Sequence, residues 1–84
     1  MDIILKPDFT QEDFNEAVDK IKIEVIDKHS ECTISVITLD NEDITLVEGY
    51  WDMSDYGPEP CFWYHKVQLD RRGIKYGLSR NNGD

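Results

Sequence analysis

The fold is decided first by residues 10–28, whose sequence is TQEDFNEAVDKIKIEVIDK. Thr10 is a favoured N-cap residue, and Asp13 stands three residues later at the capping-box position. Apolar residues then recur at helical spacing and would cover one face of a helix, namely Phe14, Ala17, Val18, Ile21 and Val25. This pattern predicts one amphipathic helix at residues 11–28.

Residues 21–25 leave an alternative open. Their apolar and charged side chains also alternate as they would in a strand. No turn residue separates them from the helical residues before them, so we interpret them as part of the helix.

Strands are predicted on both sides of this helix. Residues 3–5 are apolar and stop before Pro7, which cannot donate to a sheet ladder, so they predict a short edge strand. After the helix, residues 32–39 and 44–51 alternate and are rich in β-branched side chains. The polar residues 40–43 between them are typical of a turn, and we predict a hairpin here.

A second hairpin is predicted nearer the C-terminus. Residues 52–60 contain glycine and prolines and are interpreted as a loop. Residues 61–69 alternate like a strand, and residues 70–73 would turn the chain so that residues 74–78 pair back on it. The polar residues 79–84 are expected to form a loose tail.

Together these elements predict a single α+β domain over residues 1–84. Its one amphipathic helix would pack on an antiparallel sheet of four to five strands, built from two consecutive hairpins. A chain of 84 residues can bury one small core but leaves no room for a deep substrate cavity. We therefore expect function on the outer surface.

Charge is the most unusual property of the chain, whose net charge is −9. Residues 1–60 carry 16 Asp and Glu against 4 Lys, a net of −12, and residues 61–84 carry 2 Asp against 5 Lys and Arg, a net of +3. Phosphates would be repelled by such a surface, so we expect no direct nucleic-acid binding and a partner with a basic surface. The alternative is that the charge only keeps a small protein in solution.

Two histidines and two cysteines suggest a zinc site as a further possibility. His29 and Cys32, and separately Cys61 and His65, have the spacing of half-sites. In a strand, however, Cys61 and His65 would lie ~13 Å apart, whereas zinc ligands sit ~2.0–2.3 Å from the ion. We therefore predict no metal and ordinary, reduced thiols.

Known motifs of catalysis and targeting are absent from the sequence. The sequence contains no glycine-rich phosphate loop, no nucleophile motif and no metalloprotease motif, so we expect neither an enzyme nor a cofactor. It contains no long apolar run and no signal peptide, so we expect a cytoplasmic protein without membrane contact.

Two kinds of residue are candidates for binding a partner. Carboxylates lie on the predicted outer side of the helix, in the turn and in the loop, and aromatic residues are dense over residues 50–64. Aromatic side chains are enriched at binding hot spots. Trp63 and one of Trp51 or Tyr50 are expected in the core, whereas Tyr56 is hard to place there. The candidate partner-binding residues are Glu12, Glu16, Asp19, Asp27, Asp40, Glu42, Asp43, Trp51, Asp52, Asp55, Tyr56 and Glu59.

In size, charge and lack of a catalytic motif, the chain is similar in kind to small phage or mobile-element inhibitors and nuclease immunity proteins, although no motif carries this likeness. The leading hypothesis is a small acidic protein that inhibits a basic, nucleic-acid-handling protein, with partial DNA mimicry as one route; the cytoplasm would be that of a bacterial host if a phage encodes it. The alternative is a regulatory or structural interaction module without any connection to nucleic acid.

Overall fold

The computed structural model describes residues 1–77 of the 84-residue chain. The predicted pairing of residue 78 and the predicted loose tail at residues 79–84 lie outside the described residues. In chain order the elements are β1 (Asp2–Leu5), α1 (Gln11–Lys28), β2 (Cys32–Ile37), β3 (Asp43–Ser54), β4 (Gly57–Tyr64) and α2 (Lys66–Arg71). The fold is α+β, with a four-stranded sheet in the order β1-β2-β3-β4 and one long helix.

The predicted long helix is confirmed with the predicted bounds. Thr10 caps it, because its side-chain oxygen accepts a hydrogen bond from the backbone N–H of Asp13 at 3.2 Å. The Asp13 carboxylate in turn accepts one from the backbone N–H of Thr10 at 3.1 Å, which completes the capping box. The five residues assigned to the covered face are all buried, and Ile21 and Val25 are fully inaccessible. The strand alternative for residues 21–25 is therefore wrong.

The first strand is an edge strand as predicted, but its orientation differs from the prediction. β1 pairs with β2 in parallel, in a register that sets Ile3 opposite Ile34. The sheet is therefore mixed, and the prediction of a wholly antiparallel sheet is wrong. The physical reason is the connection: α1 carries the chain back along the sheet between β1 and β2, and such a crossover joins parallel strands.

The first predicted hairpin is confirmed, because β2 and β3 pair antiparallel from Cys32 opposite Gly49 to Ile37 opposite Asp43. The loop predicted for residues 52–60 is wrong. β3 continues to Ser54, and β4 already begins at Gly57.

The second predicted hairpin is also wrong. Residues 61–64 do lie in a strand, but residues 66–71 form the helix α2, and residues 74–77 follow it without strand structure. The strand ends at Tyr64, and the backbone N–H of the next residue, His65, donates to the carbonyl of Leu46 at 2.8 Å. Alternation of Val67 and Leu69 suggested a strand, yet only Leu69 is buried.

One face of the sheet packs against α1 and forms the core. At Gly49 the packing is tight, because a Cβ atom there would lie 3.1 Å from side-chain atoms of Phe62 and Val25. Neighbouring residues in a strand point to opposite faces, so Glu48 and Tyr50 point to the other face of the sheet. Trp63, predicted in the core, also lies on that other face and is 52% exposed.

Candidate partner-binding site

Residues 50–61 form a projection that we call the hairpin arm. β2 begins at Cys32, which pairs with Gly49, whereas the pairing of β3 with β4 continues for five more residues to Ser54 opposite Gly57. The arm is therefore a two-stranded ribbon that extends past β2. Five of the candidate partner-binding residues belong to it: Trp51, Asp52, Asp55, Tyr56 and Glu59.

The tip of the arm is a two-residue turn of Asp55 and Tyr56. The Ser54 side chain holds the turn, since its hydroxyl donates to the Gly57 carbonyl at 3.0 Å and accepts from the Tyr56 N–H at 3.3 Å. Gly57 has φ of 100°, a conformation that favours glycine. Tyr56 is 99% exposed, so a large aromatic side chain stands in solvent at the end of an ordered turn.

The base of the arm is attached to the end of α1 through Trp51. The rings of Trp51 and His29 stack with centroids 4.0 Å apart and planes inclined by 19°. His29 is the C-cap of α1 and adopts a left-handed conformation with φ of 53°. Because that cap is hydrogen-bonded to the carbonyl of Val25 at 3.1 Å, the helix end supports the arm at this point.

On the other face of the arm, Tyr50 is paired with Cys61 across β3 and β4. A hydrogen bond to the Cys61 side chain, partial burial and the nearby charges of Asp52 and Glu48 raise the pKa of Tyr50 to about 12. Tyr50 is therefore an uncharged side chain at neutral pH, set between carboxylates.

Asp52 and Glu59 lie directly opposite each other in the register of β3 and β4. Like charges in facing positions of a sheet are destabilising. Within residues 1–77 neither carboxylate forms an ion pair; the pairs present are Lys28 with Glu24 and His65 with Glu48. The arm thus carries two adjacent negative charges that nothing in the described part of the chain neutralises.

The turn predicted as part of the acidic surface lies at the opposite end of the sheet. Asp40, Glu42 and Asp43 are exposed beside the start of β3, whereas the arm tip follows its end. At ~3.2–3.4 Å per residue, the 12-residue strand separates these two groups by roughly 35 Å. The structure does not bring them together.

The predicted carboxylates of the helix, which are Glu12, Glu16, Asp19 and Asp27, are all exposed along α1. Glu12 and Asp27 are separated by roughly 22 Å along the helix axis, so only Asp27 is near the helix end that supports the arm. Glu16 and Asp13 border a groove of about 470 Å³ between α1 and β1, whose apolar lining includes Ile3, Leu5 and Phe9.

Sequence reasoning missed three residues that extend the arm surface: Met53, Glu48 and Trp63. Met53 is 74% exposed, and Trp63 faces Glu48 across the strands. The signal was present in the sequence, because the alternation of residues 44–51 continues through residue 54. The two prolines at positions 58 and 60 are also spaced as an edge strand permits.

The histidines and cysteines discussed as zinc half-sites have other contacts. His29 stacks on Trp51, and Nε2 of His65 lies 2.9 Å from a carboxylate oxygen of Glu48. Cys32 is a buried free thiol and Cys61 a partly buried one. Within residues 1–77 no group of three or more His, Cys, Asp or Glu residues could hold a metal ion, and the absence of zinc remains a prediction.

Comparison with protein-family models, with curated proteins and with solved structures finds no match for this chain. In the part of the chain that the structure describes, no helix has the length and apolar character needed to cross a membrane.

Proposed function

We propose that this chain is an acidic binding protein that docks on the basic surface of another protein through its hairpin arm. The observation that carries the proposal is the facing pair of Asp52 and Glu59, which lies on a projecting ribbon without a neutralising cation in residues 1–77. A sheet loses stability by placing like charges opposite each other, and a basic partner would remove that repulsion.

The charge of the sheet supports a basic partner. Residues 32–65 contain seven Asp and Glu and no Lys or Arg. The Lys and Arg residues of the chain lie before or after this segment, so the only formal charges that the partner would meet on the turn before β3, on β3 and on β4 are negative. Electrostatic attraction of this kind raises association rates and selects among partners.

The exposed apolar side chains of the arm support tight binding once contact is made. Tyr56 and Met53 are 99% and 74% exposed, which is unfavourable for large side chains in water. Aromatic residues and methionine are enriched in the cores of protein interfaces. Tyr56 would therefore enter a pocket of the partner while Asp52, Asp55 and Glu59 meet its cations.

The proposed partner class is a protein that handles nucleic acid, and the proposed effect is inhibition. Such proteins present the clusters of Lys and Arg that the arm would bind. The arm carboxylates are roughly 35 Å from the 40–43 turn, so the two groups would not form a continuous copy of a DNA backbone. The arm would instead inhibit the partner by occupying its basic site.

The first experiment identifies the partner. A photocrosslinking amino acid replaces Tyr56 at the arm tip, and irradiation is carried out in an extract of cells that carry the gene. Leu39 provides the matched control, because it is 97% exposed but lies at the opposite end of the sheet. We expect a basic protein to be captured from position 56 and not from position 39.

The second experiment tests the charge mechanism on the captured protein in purified form. The double variant Asp52→Asn/Glu59→Gln is compared with Asp40→Asn/Glu42→Gln, which has the same net charge. The arm variant should associate severalfold more slowly, whereas the turn variant should resemble the unchanged chain. Equal effects of both variants would contradict the assignment to the arm. If the partner binds nucleic acid and this chain at the same time, the arm does not block the nucleic-acid site. That result would exclude inhibition of this kind and favour an interaction module.

A further inference from the structure

We infer that the open edge of β3 in the hairpin arm, at Trp51 and Met53, binds an extended strand of the partner in which cationic and apolar residues alternate. The inference rests on the proposed function, since it takes the arm as the partner-binding surface. It adds the mode of recognition, which is strand addition through main-chain hydrogen bonds.

The two prolines of β4 determine which backbone groups of β3 point outward. Residues facing each other in an antiparallel pair alternate between those that exchange two hydrogen bonds and those that exchange none. Pro58 faces Met53 and Pro60 faces Trp51, and a proline has no N–H to exchange. Both pairs are therefore of the second kind, so the N–H and C=O groups of Trp51 and Met53 point away from β4.

β2 pairs with β3 on this outward side, but it does not extend as far as Trp51 and Met53. Gly49 has the same orientation as Trp51 and pairs with Cys32, the first residue of β2. Beyond Gly49, the pairing of residues 50–54 within residues 1–77 is with β4 alone. The hydrogen-bond ladder between β2 and β3 thus stops at Gly49. The backbone N–H and C=O groups of Trp51 and Met53 follow at the same two-residue spacing and could pair with another strand.

The side chains along this edge specify the sequence of the incoming strand. Asp52 lies on one face of the arm together with Tyr50, whereas Trp51 and Met53 lie on the other. An added strand also alternates, so it would place Lys or Arg beside Asp52 and apolar residues beside Met53. A second copy of this chain is a poor occupant, because each copy carries a net charge of −9.

The experiment uses the complete chain and the peptide acetyl-Lys-Val-Lys-Val-Lys-Val-amide as the probe. Amide hydrogen exchange is measured by NMR for residues 50–54 with and without the peptide. In the free chain, the amides of Tyr50, Asp52 and Ser54 should be protected by β4, and those of Trp51 and Met53 should exchange rapidly. Peptide at millimolar concentration should protect Trp51 and Met53.

Two controls separate strand addition from simple charge attraction. The same peptide N-methylated at every residue keeps its lysine charges but lacks the backbone N–H groups of its six residues, and it should give no protection. Met53→Pro removes one outward donor and should weaken binding roughly three- to tenfold, the effect of one hydrogen bond, whereas Met53→Ala keeps that donor and should bind more tightly than the proline variant. Protection of Asp52 and Ser54 in Met53→Pro would verify that the arm is intact.

Several outcomes would overturn the inference: protection of Trp51 and Met53 in the free chain, no protection with the peptide, or equal binding of the methylated and unmethylated peptides. If Met53→Pro binds as well as Met53→Ala while Asp52→Asn/Glu59→Gln binds less, strand addition fails and the proposed function stands. If instead Met53→Pro binds less than Met53→Ala while Asp52→Asn/Glu59→Gln binds as well as the unchanged chain, strand addition stands and the charge mechanism of the proposed function is refuted.

Discussion

Asp52 and Glu59 provide the most direct test at the scale of single residues. Glu59→Lys would replace a repulsion across β3 and β4 by an attraction, because position 59 faces Asp52. We expect the free energy of unfolding, measured with urea, to rise by ~0.2–1 kcal/mol, while binding to the basic partner weakens. Glu42→Lys is the control, since it changes the net charge equally in the turn at the other end of the sheet. A gain in stability that is no larger for Glu59→Lys than for Glu42→Lys would contradict the prediction.

Tyr50 gives a second prediction at this scale. Its pKa is raised to about 12 by the hydrogen bond to the Cys61 side chain, by partial burial and by the negative charges around it. An unfolded tyrosine has a pKa of about 10, so folding favours the protonated form. The resulting stability is fully present below pH ~10 and is lost as the pH rises through ~12. Ultraviolet titration should show one tyrosine ionising near the upper value, and Tyr50→Phe should abolish that step.

At the scale of elements, the capping box of α1 is a local interaction with a measurable effect. Thr10→Ala removes the oxygen that accepts the Asp13 N–H, and the free energy of unfolding should fall by ~0.5–2 kcal/mol. Thr10→Ser keeps a hydroxyl and should lose much less. Equal stability of the alanine and serine variants in thermal unfolding would show that the cap contributes nothing.

The short helix α2 can be distinguished from the strand that the sequence suggested. Leu69 is completely buried and Val67 is 59% exposed, whereas a strand would bury both on one face. Leu69→Ala should therefore lower the free energy of unfolding by ~2–5 kcal/mol, and Val67→Ala should change it by less than ~1 kcal/mol. Comparable losses for both variants in urea denaturation would favour the strand.

At the scale of the whole molecule, the distribution of charge determines how binding depends on salt. Residues 32–65 carry only negative formal charges, and the arm carries three of them past the end of β2. Association with the proposed partner should slow strongly between ~50 mM and ~500 mM salt, over which the screening length falls about threefold. Stopped-flow or surface-binding kinetics would measure this, and a rate independent of salt would exclude electrostatic attraction.

The sequence alone determined the parts of this fold that depend on near neighbours. The helix at Gln11–Lys28 was predictable with its bounds, because its cap and its apolar spacing lie within those residues themselves. The hairpin of β2 and β3 was predictable for a similar reason: a short polar turn joins two alternating segments. The acidic character of the chain follows directly from composition. Tyr56 was hard to place in the core because glycine and prolines surround it, and it is exposed although the loop predicted there is wrong.

Only the tertiary structure decided which strands pair and which faces they cover. β1 lies parallel to β2 because α1 crosses between them, and a strand of four residues gives no local sign of its direction. Trp63 is exposed because the register of β4 sets its neighbour Phe62 toward α1, and residues 66–71 form a helix after β4 has ended at Tyr64. The arm likewise exists because β2 ends before β3 does. Strand partners and buried faces are fixed by pairing between segments that are distant in sequence. Alternation within one strand does not show which of its two faces is buried, so the sequence pattern alone could not predict them.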